Sequence, residues 1–223
     1  MTAPGALFML LLGLASMGGA AGVIRSHRAH DVAPGVAANE RLTALLSGLL
    51  FLLVAAIGVT VLLIQDLLPE HYVVGFLLVP PLGLKLASTG YRLLRYYTGS
   101  AAYAAAGPPP ILLRLTAPLL VLATIAVFGT GIELWLFGYR FGTWWFQAHV
   151  VSFLVWTAAL IPHLLGHFRR SAEAVAEEVT IGSSREVFTR RGVVVASLLL
   201  GAVLAAASLF YESPFPSFGA GSG

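Results

Sequence analysis

Three histidines stand within one apolar stretch of the sequence, residues 149–167, which reads HVVSFLVWTAALIPHLLGH. They are His149, His163 and His167, and a fourth, His71, begins a second apolar stretch, HYVVGFLLVPPLGLK. Imidazole nitrogens are common metal ligands, and ionisable side chains inside a membrane are costly and usually functional. If both stretches cross a bilayer, His71 and His149 are the pair expected to hold a metal-bearing cofactor, and His163 is a further candidate.

The spacing of the histidines indicates which of them share a helix face. His163 follows His149 by fourteen residues, which in an α-helix is a rise of about 21 Å and nearly four full turns. The residue fourteen positions after His71 is Lys85, the only lysine in the chain. If the two stretches run parallel, His71 and His149 lie at one depth, and Lys85 and His163 lie at the other.

The composition indicates an integral membrane protein. Of the 223 residues, 58% are hydrophobic and only 10% are charged, whereas soluble domains carry about 25% charged residues. Cysteine is absent, which excludes disulfides, zinc-thiolate sites, iron–sulfur clusters and covalently attached c-type haem. A redox cofactor must then be held by nitrogen or oxygen ligands, and the formal charge of +3 gives no indication of nucleic-acid binding.

The apolar stretches predict a single all-α membrane domain of six transmembrane helices, since a span needs about 20 apolar residues. The third span contains Pro80 and Pro81, and the fifth contains Pro162. Residues 212–223 are expected to form a flexible tail outside the membrane. The predicted spans are 4–24, 43–65, 72–91, 111–137, 146–167 and 192–211.

The basic residues predict how these spans cross the membrane. Eleven of the 13 basic residues lie in or flank the loops between spans one and two, three and four, and five and six; Arg114, at the start of span four, is the one that flanks. Because basic loops stay in the cytoplasm, we expect both termini outside it, in a multi-pass protein of the cell membrane. Spans three and five then enter from the same, outer side, which places His71 and His149 together in the outer leaflet.

The sequence here resembles the four-helix transmembrane b-type cytochromes, a broad group that includes cytochrome b561 and the membrane cytochrome subunits of respiratory dehydrogenases. The residues that carry the resemblance are HYVVG, with His71 and Gly75, and HVVSFLVWTAALIPHLLGH, with His149 and His163. The resemblance covers mainly spans two to five, residues 43–168. It implies a haem-binding four-helix bundle, electron transfer to or from a partner redox subunit, and often a quinone as the acceptor or donor.

The resemblance and the residues together give a candidate haem site. His71 and His149 are the expected iron ligands of one haem b in the outer leaflet, and Gly75, one turn after His71, leaves room for a flat macrocycle. Arg140 in the outer loop is expected to pair with the haem propionates. Glu133 is an intramembrane acid that either carries protons at a quinone site or pairs with Arg140. The expected pocket walls are Ser152, Phe153 and Trp156.

Several alternatives remain open from the sequence alone. A second, inner haem would use His163, but the register offers it Lys85 instead of a second imidazole, and His167 lies on the same helix. The chain can also be a haem-free structural or assembly subunit of a respiratory or photosynthetic membrane complex, with interfacial histidines. A pigment-binding subunit is a third class, because one histidine can ligate the metal of a chlorophyll.

Overall fold

A computed structural model describes residues 34–105, 111–180 and 185–216 of the chain. The first predicted span, 4–24, lies outside the described residues. Within the described part every regular element is a helix, and five helices are long and apolar enough to cross a membrane. The expectation of an all-α membrane protein is therefore confirmed in this coarser form. The helices are α1 Pro34–Leu62, α2 Leu68–Tyr97, α3 Ala101–Ala105, α4 Ile111–Phe137, α5 Trp144–Thr180 and α6 Arg185–Ser208.

Most helices extend beyond the apolar stretches that predict them. Helix α1 begins nine residues before the predicted second span, and α5 continues to Thr180, past the predicted end at residue 167. An apolar stretch marks the part of a helix that fits the hydrocarbon core, whereas backbone hydrogen bonds continue into the polar interface. The segment SAEAVAEEV is therefore the end of α5.

Four helices surround a central cavity. Helix α5 packs along α4 and also against α1, and α1 packs along α2, whereas α2 and α4 make little contact with each other. The space that α1, α2, α4 and α5 enclose has a volume of about 2180 Å³, well above the 300–1,000 Å³ typical of a small-molecule site. The helices that surround it correspond to predicted spans two to five.

Helix α6 lies outside this bundle, against α2. Its closest approach is at Gly201, where a Cβ atom would overlap the carbonyl oxygen of Leu77. That carbonyl lacks its usual helical donor, because the residue four positions later is Pro81, which has no N–H. A small residue on α6 therefore lets the two backbones approach, as is typical of membrane helix pairs.

The residues after α6 fold back over one end of the bundle. The Tyr211 hydroxyl donates to the carbonyl of Leu136 at 2.6 Å, and the Ser213 hydroxyl donates to that of Trp135 at 2.7 Å. Phe215 is buried in a cluster with Leu68 and Leu134. The described part of the expected flexible tail, residues 212–216, thus packs on the protein, and residues 217–223 lie outside the described residues.

Candidate cofactor site

His71 and His149 face the same end of the cavity. His71 lies in the first turn of α2, where the helix starts at Leu68-Pro69, and His149 lies in the second turn of α5. Their imidazole ring centroids are 6.4 Å apart and the ring planes are nearly perpendicular, at 88°. Both rings line the cavity. We call this part of the cavity the histidine end, and the opposite part, around Lys85 and His163, the basic end.

Each of the two imidazoles is held by a threonine on a neighbouring helix. The Nδ1 atom of His71 lies 3.0 Å from Thr60 Oγ1 of α1, and that hydroxyl also lies 2.7 Å from the carbonyl oxygen of Ile57. A carbonyl can only accept, so the single hydroxyl proton of Thr60 goes to Ile57. The threonine oxygen must then accept a hydrogen bond from His71 Nδ1–H, and in a neutral ring this leaves the lone pair on Nε2.

The same arrangement occurs on the other side of the cavity. Thr130 Oγ1 of α4 donates to the carbonyl of Ala126 at 2.6 Å and lies 3.1 Å from His149 Nδ1. His149 Nδ1–H therefore also donates to a threonine oxygen, and in a neutral ring this leaves the lone pair on Nε2. A hydrogen bond from the distal ring N–H that fixes tautomer and orientation is the usual support of a metal-ligating histidine. Both histidines have this support in the structure.

The distance between the rings fits one metal ion between them. A metal-bound imidazole nitrogen lies about 2.0–2.1 Å from the metal, and the ring centre lies roughly 1.2 Å beyond the nitrogen. Two rings on opposite sides of one metal therefore have centres roughly 6.4–6.6 Å apart, and the observed 6.4 Å lies at the lower end of this range. The described residues contain no group of three or more His, Cys, Asp or Glu that could hold a metal. The pair suits a metal whose remaining ligands come from a macrocycle.

Two glycines leave space around the histidines. A Cβ atom at Gly131 on α4 would lie 2.9 Å from His149 Cε1, so a side chain there would displace the ring. Gly75, one turn after His71, lines the cavity, and a Cβ atom there would meet only Ile57 Cδ1, at 4.0 Å. Gly131 thus positions the imidazole, and Gly75 keeps the wall beside His71 flat.

The remaining walls of the histidine end are aromatic and apolar. Phe153 and Trp156 line the cavity as expected from their place on α5, and Trp156 Nε1–H donates to Thr124 Oγ1 of α4 at 3.0 Å. The Ser152 hydroxyl instead donates to the carbonyl of His149 at 3.0 Å. The buried cluster of Leu68, Leu134 and Phe215 also lines this end of the cavity.

Two residues that the sequence associates with this site lie apart from it. Arg140 is exposed in the turn after α4, with its guanidinium carbon 5.7 Å from the ring centroid of Phe141, and it does not line the cavity. Both carboxylate oxygens of Glu133 are inaccessible and have no hydrogen-bond partner among the described residues. Neither the expected pairing of Arg140 with Glu133 nor a place for Glu133 in the cavity wall is observed.

His163 and Lys85 both line the basic end of the cavity. Lys85 Nζ donates to the carbonyl of Thr43 at 2.9 Å and also contacts the Ser47 hydroxyl, so α1 holds the ammonium group. Lys85 is therefore engaged as a hydrogen-bond donor. His167 lies in α5, but its side chain is outside the described residues.

Sequence reasoning overlooked Thr60, Thr130 and Gly131. The sequence does contain a signal for the threonines: each is a hydroxyl residue in a mainly apolar segment, GVTVLL or GTGIEL, near the end of its span. Isolated hydroxyl residues are also frequent in membrane helices as packing elements, so the pattern by itself does not select a partner.

Comparisons with protein-family models, with curated proteins and with solved structures found no match for this chain.

Proposed function

We propose that the chain is a membrane cytochrome b that holds one haem b between His71 and His149 and transfers electrons between a redox partner and an acceptor such as quinone. The observation that carries this proposal is the facing pair of imidazoles, 6.4 Å apart between ring centroids, each with its Nδ1 bonded to a threonine. Pairs of histidines from facing helices are a common way for a bundle to hold haem.

The roles of the protein residues follow from their positions. His71 and His149 would hold the iron, and Thr60 and Thr130 fix the orientation of both rings through Nδ1. A bound haem would supply reversible one-electron exchange. The mainly apolar lining lowers the local dielectric constant; burial and hydrogen bonding are the means by which proteins tune haem potentials.

The proposal includes the orientation of the chain in the cell membrane. Eleven of the 13 basic residues lie in or beside the predicted loops that the positive-inside rule assigns to the cytoplasm, so the histidine end would be outside. A reporter inserted between residues 180 and 185 should behave as cytoplasmic, and one fused after Gly223 as external. An external reporter at 180–185 would contradict this orientation. Both sites lie outside the described residues, which avoids interrupting a described helix.

A spectrum of the purified protein tests the haem assignment. Protein from haem-replete cells should show a low-spin b-type spectrum, with about one haem per chain in a pyridine haemochrome assay. His71→Ala and His149→Ala should each abolish or convert the signal, whereas His163→Ala, on the same helix as His149, should retain it. A folded, colourless wild type would contradict the proposal and favour a haem-free subunit. Chlorophyll-type absorption would favour the pigment-binding alternative.

A further inference from the structure

The charges that line the cavity are concentrated at one end. Among the described residues, four arginines or lysines line it, and all of them lie at the basic end: Arg41, Lys85, Arg92 and Arg114. Glu40 is the one acidic residue in this described lining, and it pairs with Arg92 at 3.0 Å. No Asp, Glu, Lys or Arg of the described residues lines the histidine end. The basic half of the cavity therefore carries an excess of positive charge that the described lining does not neutralise.

Lys85 is the deepest of these charges, and its surroundings are built to keep it in place. Its amino group donates to the Thr43 carbonyl and contacts the Ser47 hydroxyl. Thr43 is fixed in turn by a 2.6 Å hydrogen bond to Ser88, and Ser88 donates to Asn39 at 2.9 Å. An ammonium group has three N–H donors, so one remains beyond these two partners. No carboxylate among the described residues pairs with Lys85.

An unpaired cation in an apolar membrane cavity is unfavourable unless a counter-charge accompanies it. Arg41 and Arg114 add to the positive charge of this lining, and neither forms an ion pair among the described residues. A ligand that brings a carboxylate or phosphate group would supply the counter-charge that Lys85 lacks. Charge-assisted hydrogen bonds of this kind are among the stronger ones in proteins.

The walls around these charges indicate the rest of the ligand. The lining of the basic end is otherwise mainly aliphatic and aromatic, for example Leu86, Leu160 and Leu164. Helices α2 and α4 make little contact beside it, so an elongated apolar molecule has a route in from the hydrocarbon core. His71 and Lys85 are fourteen residues apart on α2, about 21 Å along the axis. The basic end therefore lies well away from the histidine pair within the same cavity.

We propose that the basic half of the cavity is a binding site for an anionic amphiphile, with its carboxylate or phosphate on Lys85, Arg41 and Arg114 and its apolar body along the cavity wall. A free fatty acid and an anionic phospholipid share this chemistry. The site does not depend on whether the histidine end holds haem.

Binding of matched probes to the full-length protein in neutral detergent tests the proposal. Palmitate should bind about tenfold or more tightly than hexadecanol, which has the same chain without the charge. Lys85→Met should remove this preference, and Lys85→Arg should keep part of it. Arg95→Gln is the control, because Arg95 is basic and close in sequence, but it is exposed, bonds to Ser100 and does not line the cavity.

The outcomes separate the site from general attraction of anions to a basic surface. Equal binding of palmitate and hexadecanol by the wild type would overturn the proposal, and so would an equal loss of preference in Arg95→Gln. If Lys85→Met does not fold, Arg41→Gln with Arg114→Gln provides the second variant, and an unchanged preference there would also overturn it. Bound phosphorus in the purified protein identifies a phospholipid as the native ligand, and extracted fatty acid without phosphorus identifies the free acid.

Discussion

The histidine end and the basic end are built on the same two helices in the same register, yet they present different chemistry. At one end His71 and His149 face the cavity, and fourteen residues further along each helix Lys85 and His163 do so. The neighbouring helices make the difference. Threonines from α1 and α4 hold both imidazoles at the first end, whereas α1 holds the amine at the second. The spacing along each helix sets the depth of these four residues, and hydrogen bonds from neighbouring helices determine what each can bind.

The largest expected effect comes from crowding the histidine end. Gly131→Leu should abolish the low-spin haem signal, because even a Cβ atom there would lie 2.9 Å from His149 Cε1. Gly129→Leu is the matched control, since a Cβ atom at Gly129 meets nothing within 4 Å. Optical spectra of both purified variants measure the effect. A normal spectrum in Gly131→Leu would show that His149 does not need its observed position.

Converting the basic end into a histidine pair should produce the next largest effect. Lys85→His places an imidazole opposite His163 at the register of the first pair, so the haem content should rise from about one towards two per chain. A pyridine haemochrome assay with a redox titration measures this change. The double variant Lys85→His with His163→Ala should return the content to one. A content that stays at one in Lys85→His would show that cross-helix partners, rather than facing ligands, limit haem binding there.

Removing the threonine supports should weaken the haem site without destroying it. Thr60→Val and Thr130→Val each delete the acceptor for an imidazole Nδ1–H, and loss of such a partner typically costs 10–100-fold in metal affinity. The midpoint potential should also rise, because an imidazole that no longer donates a hydrogen bond is a poorer electron donor to ferric iron. Haem transfer to apomyoglobin and a redox titration measure the two effects. Thr60→Ser and Thr130→Ser keep the hydroxyl, so they should have the haem affinity and midpoint potential of the wild type. If they behave like the valine variants, the threonines act through packing.

The smallest expected effect concerns the closure of the histidine end. Phe215→Ala should increase the rate of haem loss several-fold, because Phe215 packs with Leu68 and Leu134 in the lining of this end of the cavity and its removal admits water. Phe210→Ala is the control, since that side chain is 91% exposed. The rate of haem loss after dilution should be measured for both variants and for the wild type. Equal rates would mean that residues 209–216 do not protect the histidine end.

The sequence predicts the helices well and their ends less well. Helix α4 coincides with the predicted span 111–137, since its apolar stretch ends at both sides in polar or turn-forming residues. Helix α5 extends thirteen residues further than predicted, because its polar continuation is helical for reasons that hydropathy does not measure. The packing of Phe215 was not predicted, since a polar, proline-containing tail gives no sequence signal of the cluster that receives it.

The sequence by itself determined that this is an all-α membrane protein. It also determined that His71 and Lys85, like His149 and His163, are fourteen residues apart on one helix. Both results follow because hydropathy and helical periodicity are properties of a single segment. Only the tertiary structure decided that Thr60 and Thr130 support the histidines, that Gly131 admits His149, that Lys85 bonds to α1, and that Arg140 lies apart. Those contacts depend on how each helix is rotated about its axis relative to its neighbours. That rotation is fixed by packing between helices distant in sequence, which no single segment encodes.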